Sequence, residues 1–310
     1  MPNWCKISVV IFLGVWLLSA CASPPPASVS PVEPTVEPTV EPPFPVIVTP
    51  DLVYTAPEFR AILVEKLDAY APDTRIDGGW PVVIFVHGSA QQKRDFAQIS
   101  GKVAEAGAVV FTVDWTPYSG SSILAGNGKQ VREMGETLLC AVRFAHAHAS
   151  EYGGDADQVI LIGFSAGAWM GAQVALAGET LESRWTALAE SAGEPPRQVD
   201  CVAPDGSPNV AAFVGIAGPY GAFESAPGID SDLRKVVEIS AYVGERPNLR
   251  VRLLHGRTDG VVKQSASENF LALLVDAGYD ARLTLFDEGH KVPHELVLEV
   301  VAELGKTVSK

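Results

Sequence analysis

The stretch Val159-Ile160-Leu161-Ile162-Gly163-Phe164-Ser165-Ala166-Gly167 joins a short apolar run to a Gly-x-Ser-x-Gly pentapeptide. The run of branched aliphatic residues predicts a β-strand that is buried on both faces. The small and apolar residues from Ala166 onward predict a helix that begins directly after the serine. Such a tight turn needs glycine on both sides, and it lifts the hydroxyl above the sheet. We therefore predict that Ser165 is a nucleophile.

Short β-branched runs alternate with longer amphipathic stretches on both sides of this turn. Strands are predicted at 82–87, 108–114, 158–163, 210–217, 250–254 and 282–286. Helices are predicted between them at 91–106, 129–151, 166–177, 263–277 and 294–307. This alternation is typical of parallel βαβ units with right-handed crossovers. We predict an α/β fold with a doubly wound, mostly parallel sheet, preceded by antiparallel edge strands at 46–54 and 61–67.

Two polar segments are longer than the connections that are usual in such a fold. Residues 181–208 lie between a helix and the next strand, and residues 220–248 follow a strand and include a helical pattern near 232–242. Insertions at the C-terminal ends of strands line the binding crevice of open α/β sheets. We expect both segments to form a small cap or rim over the site.

A serine hydroxyl needs a base, and histidine has a suitable pKa at neutral pH. His290 lies in a short loop after the last predicted strand, and Asp259 lies in the loop after the preceding strand. The chain order is then Ser165, Asp259, His290, as in one known arrangement of the Ser-His-Asp triad. We predict that His290 is the base and that Asp259 orients its ring. Asp114, at another strand end, is the alternative acid.

Two backbone N–H groups should stabilise the charge that develops on a substrate carbonyl oxygen. One is the amide of Ala166, which follows the nucleophile. The other is the amide of Ser89, or alternatively of Ala90, in the loop after the first core strand. His87 also lies in this loop.

Four motifs in sequence resemble those of the α/β-hydrolase superfamily, specifically its secreted serine esterases. They are Val86-His87-Gly88-Ser89, the turn at Ser165, Gly256-Arg257-Thr258-Asp259 and Glu288-Gly289-His290. The resemblance covers the chain from about Pro81 onward and points to the feruloyl-esterase-like and hormone-sensitive-lipase-like carboxylesterases. It implies an α/β-hydrolase fold and hydrolysis of a small-molecule ester through an acyl-enzyme. The sequence departs from the His-Gly-Gly-Gly form of that family, because Ser89 and Ala90 replace two glycines.

Other functions remain open beside ester hydrolysis. The same machinery could transfer the acyl group to a sugar or lipid alcohol, act as a peptidase, or survive as a non-catalytic surface binding protein.

A net charge of −14 argues against nucleic-acid binding, because phosphate recognition needs a positive surface. The sequence has no phosphate-loop or flavin motif, so no cofactor is expected. Trp115, Tyr118 and Tyr220 could form an aromatic floor for the substrate, or pack at its rim.

The remaining histidines are expected to have structural roles. His146 and His148 lie two residues apart on a predicted helix, so they face different sides and are expected to be solvated. A metal site formed by this pair is the alternative, but further ligands are lacking, and no metal is expected. His255 precedes Asp259 and is expected to be packed or hydrogen-bonded.

The first 45 residues are set apart from the fold. Lys6 and the apolar run Ile7–Leu18 are typical of a signal peptide, and the run is too short to span a membrane. Leu18-Ser19-Ala20-Cys21 resembles a bacterial lipobox, which implies a signal peptide at 1–20 and a lipid on Cys21. An ordinary secretory signal is the alternative. We predict export and anchoring to the bacterial cell envelope, at the outer face of the membrane or at the outer membrane, through this lipid only.

Proline marks the segment after the predicted lipid site. Residues 24–50 contain ten prolines, a density that blocks helices and sheet ladders and favours an extended chain. We predict a tether at 21–45 and an α/β-hydrolase domain at 46–310. Cys140 and Cys201 remain in that domain, and in an exported protein the pair predicts a disulfide, with two buried free thiols as the alternative.

Overall fold

The computed structural model describes residues 43–56, 65–115, 128–193, 199–221, 234–235 and 237–305. In this part of the chain eight strands form one sheet: β1 (Val46–Val53), β2 (Lys66–Pro72), β3 (Trp80–Val86), β4 (Val109–Val113), β5 (Gly154–Phe164), β6 (Ala212–Ile216), β7 (Arg250–Gly256) and β8 (Ala281–Phe286). Six described α-helices accompany it: α1 (Ala97–Glu105), α2 (Gly128–His148), α3 (Ala166–Ala177), α4 (Thr180–Ala192), α5 (Gln264–Asp276) and α6 (His294–Leu304). None of these helices is long and apolar enough to cross a membrane.

The sheet is doubly wound and mostly parallel, as predicted. Its strand order is β1-β2-β4-β3-β5-β6-β7-β8. β2 runs antiparallel to both of its neighbours, and every other adjacent pair is parallel. The chain moves from β3 to β4 on one side and then returns to β5 on the other side. A crevice therefore opens at the C-terminal ends of β3 and β5, where ligands bind in open α/β sheets.

Apolar layers cover both faces of the sheet. Along β3, Val82 and Ile84 belong to a core shared with α2, α3 and α5, whereas Val83 and Phe85 belong to a core shared with α1 and α6. Successive side chains of a strand point to opposite faces, so a strand covered on both faces must be apolar throughout. This explains the continuous aliphatic runs that predict the central strands.

The second edge strand is where the prediction differs most from the structure. It was expected at 61–67 but spans Lys66–Pro72, and residues 61–64 lie outside the described part of the chain. Asp68 occupies a buried position in this strand and pairs with Lys93 Nζ, which also bonds Asp51 Oδ1 at 3.1 Å. A charged residue at a core position breaks the apolar pattern on which a strand prediction depends.

The described residues of the first insertion, 181–208, do not extend from the end of a strand. A helix that follows a parallel strand leads the chain back to the N-terminal ends of the strands. The insertion begins there, after α3. α4 then packs along α2, where the Trp185 indole covers Gly135 and Arg143 donates to Glu182 Oε2 at 2.8 Å. Contrary to the expected rim, these residues add a layer outside α2.

The second insertion, 220–248, follows β6 as expected. Its residues 222–233 and 236 lie outside the described part of the chain, so the cap predicted there stays a prediction. The helical pattern expected near 232–242 includes a 3₁₀ turn at Ile239–Tyr242.

A disulfide joins Cys140 to Cys201, as predicted, with a sequence separation of 61 residues. It joins α2 to the part of the first insertion that follows α4. On the chain-entropy model a loop of this length contributes about 4 kcal/mol to the free energy of unfolding. We expect the Cys140→Ala/Cys201→Ala double variant to unfold about 10 °C lower in calorimetry, since that is the usual shift for such a loss in a domain of this size. Equal melting temperatures for the double variant and the oxidised wild type would contradict this expectation.

Arg252 on β7 is a buried cation between two acidic residues. Its guanidinium donates to Asp280 Oδ2 at 3.0 Å and to Glu303 Oε1 at 2.7 Å. These hydrogen bonds lower the pKa of both carboxyl groups below their ordinary values. A lowered native pKa stabilises the fold above the carboxyl pKa of the unfolded chain, and the stabilisation is lost as the pH falls through the native pKa.

Arg252→Met should therefore lower the melting temperature most at neutral pH. The gap to wild type should shrink as the pH falls below about 4, the ordinary range of carboxyl pKa values. Melting curves between pH 7 and pH 2.5 measure this gap. Arg282→Met is the matched control, because the exposed Arg282 touches the same two acidic residues at 3.4 Å and 3.8 Å. Parallel curves for Arg252→Met and wild type would overturn the assignment.

Candidate active site

Ser165 lies in a sharp turn between β5 and α3, at the crevice. Its backbone has φ 53° and ψ −117°, a strained conformation for a residue with a side chain. A Cβ on Gly163 would lie 2.4 Å from the Gly167 carbonyl oxygen, and a Cβ on Gly167 would lie 2.5 Å from the His87 carbonyl oxygen. Both glycines are thus required for the close approach of strand, helix and neighbouring loop. The predicted nucleophile turn is present.

The three predicted residues of the triad meet at this turn. His290 Nε2 lies 3.0 Å from Ser165 Oγ, and His290 Nδ1 lies 2.7 Å from Asp259 Oδ2. Asp259 follows β7 and His290 follows β8, so the C-terminal ends of three parallel strands supply the three side chains. A carboxylate at Nδ1 selects the tautomer with its proton on that nitrogen, which leaves Nε2 free to accept the serine proton.

Asp259 is held as a carboxylate by its own turn. Its side chain is fully buried, and Oδ1 accepts hydrogen bonds from the amides of Val261 at 2.8 Å and Val262 at 2.9 Å. Burial alone raises the pKa of Asp259, but the hydrogen bonds from Val262, His290 and Val261 outweigh it and hold that pKa below its ordinary value. The acid is therefore charged wherever histidine can act as a base.

His255 contacts the turn that contains Asp259 and has the structural role that was predicted. It is completely buried, with Nε2 at 3.0 Å from the Val262 carbonyl oxygen and Nδ1 at 2.8 Å from Ser267 Oγ. The carbonyl requires a proton on Nε2, so the Ser267 hydroxyl donates to Nδ1. Ser267 lies on α5, and no motif in the sequence marks this partnership.

The loop after β3 lies against the nucleophile. A Cβ on Gly88 would lie 3.0 Å from Ser165 Cβ, and the next two residues, Ser89 and Ala90, are exposed. Ala166 is the first residue of α3, so its amide has no acceptor within the helix. Within the described residues the Ser89 amide also has no acceptor. The two amides predicted to form the oxyanion hole therefore lie on the two segments that meet at Ser165.

His87 is buried behind this loop. Its Nδ1–H donates to the Gly88 carbonyl oxygen at 2.8 Å, and the Trp115 indole N–H donates to the His87 carbonyl oxygen at 3.0 Å. Burial lowers the pKa of His87, so it is neutral at physiological pH. Trp115 is thus a packing residue behind the loop.

The described aromatic candidates do not form a floor for the substrate. Tyr220 is buried and packs on Phe270, with the ring centroids 4.4 Å apart. Like Trp115, it packs in the core, and Tyr118 lies outside the described residues. The predicted alternative of packing at the rim does not describe this pair either, because both side chains are buried in the core.

The other candidates have structural contacts. Asp114, the alternative acid, accepts the amide of Lys93 on Oδ1 at 2.7 Å and so has a structural contact in the loop, whereas His290 bonds Asp259. His146 bonds the Asn209 carbonyl oxygen and His148 Nδ1 lies 2.9 Å from Glu151 Oε1, so neither is simply solvated as predicted. In the described residues no group of three or more potential ligands could hold a metal ion.

The BD-FAE family model matches residues 67–274, which is more than half of the chain and includes Ser165 and Asp259. The chain belongs to the BD-FAE family. A probable isoprenylcysteine alpha-carbonyl methylesterase of Oryza sativa subsp. japonica is 26% identical over 72% of this chain and 54% of its own length. A counterpart from Arabidopsis thaliana is 25% identical over 72% of this chain and 47% of its own. This BD-FAE chain spans about half the length of these curated relatives.

Solved structures share the fold of this BD-FAE protein at low sequence identity. Esterase 2 of Thermogutta terrifontis, phosphorylated by paraoxon, is 18% identical with a TM-score of 0.61, over 85% of this chain and 96% of that one. A truncated carbohydrate esterase from gut microbiota is 16% identical with a TM-score of 0.61, over 86% and 98%. The likeness and the strand order confirm the predicted α/β-hydrolase fold.

Proposed function

We propose that this protein is a serine esterase that hydrolyses carboxylic esters through an acyl-enzyme intermediate. The observation that carries the proposal is the hydrogen-bonded series Ser165–His290–Asp259 at the crevice, with separations of 3.0 Å and 2.7 Å. A nucleophile bonded to a base, and the base bonded to a buried carboxylate, is the arrangement that activates a serine hydroxyl. Membership of the BD-FAE family and the esterase names of its relatives support the same activity.

The reaction follows from the positions of these groups. Ser165 Oγ bonds to the ester carbonyl carbon while its proton passes to His290 Nε2. The carbonyl electrons move onto the oxygen, which the amides of Ser89 and Ala166 stabilise. Collapse of this intermediate breaks the bond to the alcohol oxygen, which takes the proton from His290. A water molecule then attacks the acyl carbon while His290 takes its proton. The bond to Ser165 Oγ breaks, the proton returns to Ser165 Oγ, and the carboxylic acid is released.

The substrate class that the esterase relatives support is a small-molecule ester. Hydrolysis of p-nitrophenyl esters from acetate to dodecanoate by the purified chain tests the activity and measures the acyl pocket. We expect turnover that varies with chain length. A folded chain that turns over none of these esters would overturn the proposal.

The proposed location is the bacterial cell envelope, with a lipid on Cys21 as the anchor. Cys21 and the tether up to residue 42 lie outside the described residues, so the support is the lipobox-like sequence. The Phe44 amide bonds the Glu105 carbonyl oxygen at 2.9 Å, and Val46 pairs with Pro72 at the end of β2. Because β2 is antiparallel to β4, Phe44 lies near the N-terminal ends of the parallel strands, opposite the crevice.

Fractionation of bacterial cells that express the full chain tests this location. We expect the wild type in the membrane fraction, released by detergent but not by salt, and Cys21→Ala outside that fraction. Equal membrane association of the two proteins would contradict a lipid on Cys21.

A further inference from the structure

The loop between β3 and α1 has an unusual sequence for the conformation that it adopts. Ala90 has φ 60°, in the left-handed region that favours glycine. Ser89 and Ala90 are both exposed, so packing does not hold them in place. Some other contact must fix the amides that are proposed to face the substrate oxygen.

Both ends of this loop are anchored. His87, at the start, is buried and bonded to Gly88 and Trp115. At the end, the Lys93 amide donates to Asp114 Oδ1 at 2.7 Å, and Lys93 Nζ lies between Asp51 and Asp68. His87 thus holds the carbonyl oxygen of the peptide that joins Gly88 to Ser89, and these contacts leave the amide of Gly88 to be held separately.

The Gln91 side chain makes that separate contact. Its Oε1 accepts the hydrogen bond of the Gly88 amide at 3.0 Å. The point where a Gly88 Cβ would stand lies 2.9 Å from Gln91 Oε1 and 3.0 Å from Ser165 Cβ, so the carboxamide folds back toward the nucleophile. In the described part of the chain, Gln91 provides the one side-chain acceptor for a backbone amide of residues 88–91, whereas His87 donates to the Gly88 carbonyl oxygen.

We propose that Gln91 is a positioning residue for the oxyanion hole. The hydrogen bond from Gly88 to Gln91 closes the loop on itself and holds the peptide before Gly88, while His87 holds the carbonyl oxygen of the following peptide, which carries the Ser89 amide. This inference rests on the proposed esterase function. In this chain a side-chain acceptor holds a loop in which Ser89 and Ala90 stand in place of glycines.

Gln91→Met tests the proposal, because methionine matches glutamine in length but removes the acceptor. We expect kcat for a p-nitrophenyl ester to fall about 10- to 100-fold with little change in KM, since a small misplacement of a catalytic group has effects of this size. The affinity for a trifluoromethyl ketone, which forms a tetrahedral adduct with serine, should fall in parallel. Gln98→Met is the matched control, because it makes the same change in an exposed side chain of α1.

Gln91→Glu keeps an oxygen at the same position and should restore the hydrogen bond to Gly88. Hydrogen–deuterium exchange of the peptide that contains Gly88 measures this bond without any activity, and it should be faster in Gln91→Met than in Gln91→Glu or wild type. An unchanged kcat and ketone affinity in Gln91→Met would overturn the proposal, as would a rise in KM alone or equal exchange in all three proteins. Absence of ester turnover in the wild type would instead overturn the proposed function.

Discussion

Ser165→Ala is expected to lower kcat/KM for p-nitrophenyl acetate by about 10⁴-fold or more, because removal of a triad nucleophile leaves only the oxyanion hole and binding. In the proposed mechanism Ser165 Oγ bonds to the substrate, and its hydroxyl lies 3.0 Å from His290 Nε2. Alanine has a smaller side chain than serine, so the turn should persist. The measurement is steady-state hydrolysis by the purified variant at neutral pH.

The control for this variant is Ser183→Ala. Ser183 lies on α4, away from the crevice, and its hydroxyl donates to the Thr180 carbonyl oxygen. We expect its activity to match that of the wild type. If Ser165→Ala keeps more than about a tenth of the wild-type kcat/KM, far more than loss of a triad member leaves, Ser165 is not the nucleophile.

Asp259→Asn is expected to have the second-largest effect, about 10⁴-fold in kcat. The Asp259 carboxylate accepts the Nδ1 proton of His290, whereas an asparagine amide can donate to Nδ1 and select the other tautomer. Nε2 would then carry the proton and could not accept one from Ser165. The geometry of the site should change little, because the asparagine oxygen can still accept the amides of Val261 and Val262.

Asp287→Asn is the matched control. Asp287 is closer to His290 in sequence than Asp259 is, but it is exposed and pairs with Arg257 at 3.1 Å. Comparison of kcat for the two variants decides which acidic residue orients the base. A larger loss in Asp287→Asn than in Asp259→Asn would contradict the triad assignment.

Local patterns were sufficient to predict the catalytic elements. The turn at Ser165, the acid after β7 and the base after β8 each occur where a strand pattern ends, and the C-terminal ends of parallel strands share one edge of the sheet. The helix at Ala166–Ala177 has the predicted bounds, because a small apolar sequence begins directly after the nucleophile. The candidate triad thus follows from short-range sequence signals combined with chain topology, whereas the strand order was not predicted.

Contacts between segments distant in sequence could not be predicted in the same way. The buried Asp68 of β2 is compensated by Lys93, and that pairing is visible only once the sheet is assembled. The hydrogen bond from Ser267 to His255 likewise joins α5 to β7. Helix α4 follows α3 and returns along α2, because its apolar face packs on a neighbouring helix and does not cover the crevice. Composition alone does not distinguish these two arrangements.

The central claim is that Ser165 forms a covalent bond with the substrate, and a covalent label tests it most directly. The purified chain is treated with paraoxon, and the modified residue is located by peptide mass spectrometry. We predict one diethylphosphoryl group per chain, on Ser165, with release of one equivalent of p-nitrophenol and parallel loss of esterase activity. The Ser165→Ala variant should remain unlabelled. A wild-type chain that loses esterase activity with its label on another residue, or that hydrolyses esters normally while fully labelled at Ser165, would contradict the claim.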